Sequence, residues 1–286
     1  MSSEKHVADV AKYYEFIYRW TQLTNRFGAF ATAAAYPIHR GLIDPATGEF
    51  STDTIHRRIA LCCPTDGTLR ALDAGCGYGG SCIALHKMLG GVWHGITISK
   101  RQVRVATANI NALGVNRDVS VRLSSFDAPQ PFGYTTVIGI ESLIHSSAPA
   151  ATIRNLVASL VPGGRLIVVD DMPVNIVPPG LADDVQRFKA MWRCPVMPTS
   201  AEWIKHIENA GCTIEAVEDL TPLMRPRPEE ELVSALAEVD AKRHWRDRLG
   251  LKPVSDAQAG GLHLERLTRE GGVQHVMIVA RKLTTT

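Results

Sequence analysis

Three groups of residues in this chain have types and spacings that can do chemistry. The first is a loop, Gly75-x-Gly77-x-x-Gly80 in "ALDAGCGYGG" (71–80). Its glycines let backbone come close to a ligand at the start of a helix. The same spacing seats the pyrophosphate of dinucleotides. Asp73, two residues before the first glycine, places negative charge beside the loop. That charge opposes a pyrophosphate and suits a ligand with an ammonium or sulfonium group. A dinucleotide enzyme also needs an acidic residue about 20 positions on to bind a ribose hydroxyl, and the end of the next strand carries Thr97 instead. A nicotinamide oxidoreductase is therefore the weaker reading.

The second group is Glu141 and His145 in "IESLIHS" (140–146). Four residues apart, they would share a face of one helical turn. A carboxylate and an imidazole there could stabilise a cation, remove a proton or relay one; a capping Glu and a packed His are the plain alternative. The third group is aromatic: Tyr13, Tyr14, Tyr18 and Trp20 in "YYEFIYRW" (13–20). Such side chains either line a cation-tolerant cavity or simply pack. Arg225, Arg227 and "AKRHWRDRLG" (241–250) alternate with Glu229, Glu230, Glu231 and Asp240. They read as a solvated helix face or as a grip on an anionic tail. Asp170 and Asp171 would point to opposite faces of a strand, so no protein-bound metal is expected from that pair.

The elements that must position these groups alternate between β-like and helical patterns over residues 70–171, as in βαβ units around a parallel sheet. Strands are expected at 68–74, 92–99, 118–123, 134–141 and 163–171, with a sixth at 212–220. Ser99-x-x-Gln102 and Thr199-x-x-Glu202 have capping-box spacing at two helix starts. Pro-rich 172–184 leads into a helix at a natural place for a cap, and 228–250 reads as a long helix. "LHLERLTREGGVQHVMIVARK" (262–282) reads as two alternating runs about a Glu-Gly-Gly turn, a terminal β-hairpin. Residues 1–60 read as a separate helical stretch, with a small-residue segment at 27–41.

With 286 residues and 45% hydrophobic side chains the chain can bury a full core. A net charge of +2 offers no global attraction to nucleic acid, and no apolar run spans a membrane. The charged N-terminus is unlike a signal peptide, and the six cysteines, Cys62 and Cys63 adjacent and the other four scattered, suggest neither a disulfide framework nor a zinc site. The expected protein is cytoplasmic and acts on a small molecule, without nucleic-acid partners or membrane insertion. A homo-oligomer stays open, because an N-terminal helical segment serves equally as lid or subunit contact.

"LDAGCGYGG" resembles the first motif of class I S-adenosylmethionine-dependent methyltransferases, and "LVPGGRLIVVDD" (160–171) resembles the element before their fifth strand. The resemblance implies an α/β fold. Its core is a doubly wound Rossmann-like seven-stranded sheet of order 3-2-1-4-5-7-6, last strand antiparallel, with an N-terminal helical lid and a helical cap insertion. The corresponding division is 1–60 as lid and acceptor-pocket segment and 61–286 as cofactor-binding domain, with cap elements around 174–198 and 222–250. The implied cofactor is S-adenosylmethionine, leaving as S-adenosylhomocysteine. Asp73, Gly75, Cys76 and Gly77 would meet its methionine and ribose portions, flanked by Ile98, Ile140 and Glu141. Asp127 and Phe126 would meet the adenine, although Asp127 also reads as a turn or cap residue.

"GITISKRQ" (95–102) is similar to a form found in cyclopropane fatty acid synthases and in the C-methyltransferases of sterols and prenyl diphosphates. There Thr97 and Gln102 would replace the ribose-binding carboxylate; Gln102 is also the capping partner of Ser99. That resemblance implies Glu141, His145 and Tyr14 as catalytic residues and Tyr18, Trp20, Arg225 and Arg227 as acceptor contacts. It favours an alkene carbon of an isoprenoid in specialised metabolism, with Mg2+ only if the acceptor is a diphosphate. Transfer to oxygen or nitrogen of a small natural product is the alternative.

Overall fold

The computed structural model of the chain describes residues 3–25 and 39–284. Helix α1 (Ser3–Asn25) is followed by a short antiparallel ladder, β1 (Leu42–Ile43) with β2 (Phe50–Ser51), and by α2 (Asp53–Leu61). The sheet then begins with β3 (Arg70–Ala74), α3 (Gly80–Leu89), β4 (Val92–Thr97), α4 (Lys100–Ala112) and β5 (Val119–Leu123). After β6 (Tyr134–Ile140) come α5 (Pro149–Ser159) and β7 (Leu160–Pro173). Helices α6 (Ala182–Trp192) and α7 (Ser200–Asn209) precede β8 (Cys212–Asp219), and α8 (Glu229–Arg248) and α9 (Lys252–Arg269) precede β9 (Val273–Lys282).

The strand order is β5-β4-β3-β6-β7-β9-β8. Counted within the sheet this is 3-2-1-4-5-7-6, and β9 runs antiparallel to both neighbours. Alternate residues of one strand feed two cores. Ile138, Ile167 and Met277 pack with α2, α3 and α4, whereas Val137, Leu166 and Ile278 pack with α5 and α7. Burial on both faces explains why β7 and β9 carry near-continuous apolar runs. The parallel strands all end on one edge, where ligands of such sheets bind.

Three expectations change. The run 262–269 is the last half of α9, not a strand: Leu264, Leu267 and Thr268 recur at helical spacing and are buried with Phe188 of α6. The apparent alternation at Leu262 and Leu264 was incidental to that period. The antiparallel partner of β9 is β8, so the reversed strand arrives after a two-helix insertion and not through a hairpin. Residues 42–61 also depart from a wholly helical N-terminal segment, since Leu42, Ile55 and Ile59 belong to the main core. Most of the small-residue segment at 27–41 lies outside the described residues.

Both capping predictions fall on helix starts. Thr199 and Glu202 form the full reciprocal box. At α4 only half forms: Ser99 accepts from the Gln102 amide, while the Gln102 side chain turns to the Thr97 hydroxyl.

Candidate functional site

A cavity of about 270 Å³ opens where β3, β4 and β6 end, and α1 lies across it. Asp73 and the glycine loop form one wall; Thr97, Ile98, Gln102 and Phe126 form the next. Ile140, Glu141, Ser142 and His145 come from the end of β6, and Tyr13 and Tyr14 descend from α1.

The loop's backbone explains its glycines. Gly75 has φ +96°, and a Cβ there would lie 2.4 Å from the Ser142 Cβ, so only glycine permits this approach of the β3 and β6 ends. The N–H groups of Gly75 and Cys76 both donate to the Ile96 carbonyl at 3.0 Å. Turned inward, they are not available to cradle a pyrophosphate. Asp73 is buried, and its one hydrogen-bond partner among the described residues is the weak Cys82 thiol at 3.5 Å. Burial pushes its carboxyl up to about 7. A buried carboxylate with so little compensation needs a cation or strong donors from a ligand. Thr97 donates to the Gln102 carbonyl oxygen, which leaves the amide hydrogens of Gln102 for hydroxyl acceptors on a ligand. This donor set fits an aminoacyl nucleoside better than a dinucleotide.

Glu141 adopts φ +47°, an unusual left-handed backbone for a non-glycine residue. Its carboxylate is thereby turned to Arg40, accepting from the backbone N–H at 3.1 Å and from Nε at 3.4 Å. The Arg40 guanidinium also pairs with Asp171. Burial works against the Asp171 charge, but Arg40 and His275 hold its carboxyl below the ordinary range. His275 Nδ1 lies 3.1 Å from Asp171, while its buried Nε2 has no hydrogen-bond partner among the described residues and sits 3.8 Å from Glu141. The Glu141 carboxyl is thus held by Arg40.

His145 sits in a short 3-10 turn, Leu143–His145, that begins after Glu141. The two therefore do not share a helical turn: both line the cavity, and no hydrogen bond joins them. His145 Nε2 instead lies 2.7 Å from the Tyr14 hydroxyl, and Nδ1 lies 3.5 Å from the Arg193 carbonyl. Burial lowers its pKa to about 4, so the ring is neutral at pH 7 and Nε2 accepts the Tyr14 proton. Burial likewise pushes the Tyr14 hydroxyl well above its ordinary value. His6 donates to the His145 carbonyl at 2.8 Å, and the Arg193 guanidinium stacks 4.2 Å from the Tyr13 ring while bonding Asp256. These contacts fasten α1 over the cavity.

The remaining sequence-derived candidates divide. Phe126 lines the cavity; Asp127 does not, and one of its carboxylate oxygens accepts from Ser146 and Thr152. Trp20 is not in the cavity wall, and the Tyr18 side chain lies outside the described residues. Arg225 and Arg227 line a neighbouring groove. Asp170 and Asp171 face opposite sides, Asp170 accepting from the Ile144 amide at 2.9 Å. Among the described residues no group of three His, Cys, Asp or Glu side chains could hold a metal. Sequence reasoning missed Arg40, His275 and Trp192, which no local motif marks.

A sheet of this order, with a buried acidic residue before a glycine loop and a cavity at the strand ends, defines the class I S-adenosylmethionine-dependent methyltransferase architecture. Residues 65–213 match the methyltransferase domain family, and the chain belongs to it. It is 33% identical over 196 residues to 27-O-demethylrifamycin SV methyltransferase of Amycolatopsis mediterranei (strain S699), covering 66% of this chain and 71% of that one. It is 29% identical over 172 residues to ajmaline N-methyltransferase of Rauvolfia serpentina, covering 56% of each. Geranyl diphosphate C-methyltransferase from Streptomyces coelicolor A3(2), solved with Mg2+, geranyl diphosphate and S-adenosylhomocysteine, shares the fold at TM-score 0.68 and 17% identity over 97% of this chain and 98% of that one. The chain is an S-adenosylmethionine-dependent methyltransferase of small molecules. No helix among the described residues is long and apolar enough to cross a membrane.

Proposed function

We propose that the acceptor atom is a hydroxyl oxygen of a largely apolar small molecule of specialised metabolism, and that Tyr14 and His145 take its proton. The observation that carries this is the pairing of the Tyr14 hydroxyl with the neutral His145 ring at 2.7 Å in the cavity wall. The cofactor, when bound, supplies an electrophilic methyl group. Asp73 would hold its ammonium, Thr97 and Gln102 its ribose hydroxyls, and Phe126 with Ile98 its adenine. The acceptor hydroxyl then donates to the Tyr14 oxygen as the Tyr14 proton moves to His145 Nε2. An imidazole with a pKa of about 4 suffices, because an oxygen that has gained a methyl while keeping its proton is a far stronger acid. Helix α1 acts as the lid that keeps water from this relay. The relative named for methylating 27-O-demethylrifamycin SV supports the same reading.

Methyl transfer to an alkene carbon is the second reading, favoured by a different observation. Glu141 faces the cavity together with the Tyr13, Tyr14 and Trp192 rings, a set that could stabilise a carbocation. A diphosphate seated in the cavity itself fits less well. No Lys or Arg is among the described cavity-lining residues, and the Glu141 and Asp73 carboxylates would repel it.

The test is label transfer from methyl-tritiated S-adenosylmethionine to panels of phenols, aliphatic alcohols and isoprenoid alkenes. Label should enter the hydroxyl compounds, and His145→Gln or Tyr14→Phe should slow transfer by about 100-fold with S-adenosylhomocysteine affinity unchanged. Label confined to alkenes, with Glu141→Gln the damaging variant, would transfer support to the second reading.

A further inference from the structure

Beside the cavity runs a groove of about 710 Å³, walled by α8, α9, the loop at 224–227 and Phe50 of β2. The two spaces share a partition. Trp192 lines both, and Arg40, which lines the groove, holds Glu141 on the cavity side. The Trp192 indole lies so close over α9 that a Cβ on Gly260 would fall 2.2 Å from its Cδ1.

The groove is charged in one sense, with five basic side chains against two acidic ones in its lining. Arg227 is matched by Glu265 at 3.5 Å, Lys242 by Glu238, and Arg40 by Glu141 and Asp171. Arg246 donates to the Gln258 carbonyl, lies over the Trp245 ring and is near enough to Glu238 to be attracted by it, without a close ion pair among the described residues. Arg225 has no ion pair or hydrogen bond among the described residues. Helix α8 adds a second observation. Of its 20 residues only Leu232 is buried, yet Ala235, Val239, Lys242 and Arg246 lie three to four residues apart and face the groove. These four are half-buried where α8 packs on α9, so the groove runs along the seam between the two helices.

We propose that the groove binds the part of the methyl acceptor remote from the reacting hydroxyl, and that this part is an apolar chain or ring system ending in a carboxylate or phosphate held by Arg225 and Arg246. The inference rests on the acceptor reading above. It accounts for the unpaired Arg225 and for the excess of basic side chains along the groove. Trp192 then separates the anionic end from the methylated end.

The test is calorimetric titration of the chain saturated with S-adenosylhomocysteine, using dodecanoate, dodecyl phosphate, dodecanol and dodecylamine below their micelle concentrations. At least one anion should bind about tenfold or more tightly than the alcohol and the amine, and Arg225→Gln should weaken it by a similar factor. The two anion arms tell carboxylate from phosphate. Arg248→Gln, exposed and outside the groove, should leave anion binding intact, and S-adenosylhomocysteine affinity should be the same in all variants. Equal affinity for alcohol and anion, an Arg225→Gln chain that binds anions as the parent does, or a dimer whose groove is closed to all four probes would each overturn the proposal. No methyl moves in this titration, so the two readings fail separately. Anions refused by a chain that methylates hydroxyls sink the groove assignment alone; anions bound by a chain that methylates only alkenes sink the hydroxyl assignment alone.

Discussion

Replacing Asp73 by asparagine should make the cofactor-free chain more stable while removing its cofactor binding. The Asp73 side chain is 2% exposed, with the Cys82 thiol at 3.5 Å as its partner, and burial raises its pKa from 3.8 to about 7. The folded state therefore holds an extra proton between about pH 4 and pH 7, and stability falls as pH rises through that window. At about 1.4 kcal/mol per unit, the charged carboxylate costs the folded chain up to about 4 kcal/mol at pH 8. An amide of the same shape carries no charge. Urea unfolding at pH 8 should then show Asp73→Asn more stable than the parent by as much as that amount, and near parity at pH 4. Cofactor binding has the opposite sign, because the ammonium selects the carboxylate. In the parent, affinity for S-adenosylhomocysteine should weaken about tenfold from pH 8 to pH 6, as one group of pKa near 7 requires. In the variant it should be weak and insensitive to pH. Calorimetry and unfolding at both pH values decide the matter: a variant no more stable at pH 8, or a parent whose affinity is flat over this range, would refute the account of Asp73.

The other expectations concern the backbone, the ion cluster and the relay. Gly75→Ala forces a side chain into φ +96° and against Ser142; urea unfolding should show a loss of about 2–4 kcal/mol, and calorimetry weakened cofactor binding. Arg40→Gln leaves two carboxylates without their cation and should destabilise the chain by about 3–5 kcal/mol at pH 7; Asp171→Asn in the same background should recover part of the loss. His145 is a base only while neutral and its pKa is about 4, so kcat at saturation should stay level from pH 8 to pH 5 and fall below that. kcat/KM for the cofactor should already decline below pH 7 through Asp73. A kcat profile with a midpoint between pH 6 and 7 would contradict the neutral His145.

What the sequence determined by itself is the part of this protein governed by near neighbours along the chain. A strand followed by glycines that must take positive φ and then a helix is a local instruction, so Asp73 and Gly75 were legible from charge and spacing, while the resemblance of the motifs implied Thr97, Gln102 and Phe126; all five line the cavity. The pattern of strands and helices pointed to βαβ units around a parallel sheet, and the resemblance to class I methyltransferases implied the strand order that the sheet has. The pleat likewise set Asp170 and Asp171 on opposite faces. Local period misled at 262–269, where a few apolar residues satisfy both a strand and a helix; packing against α6 chose the helix.

Only the tertiary structure decided what the ionisable groups do. Glu141 and His145 stand four apart in sequence, yet the positive φ at Glu141 breaks the turn that would have joined them. Their partners come from far along the chain: Arg40 lies 101 residues from Glu141, and Tyr14 lies 131 from His145. His275 reaches Asp171 because β9 inserts beside β7. Burial then fixes each charge state, holding His145 neutral and lifting Asp73 to about 7. Desolvation depends on everything packed around a group, and no stretch of sequence states it.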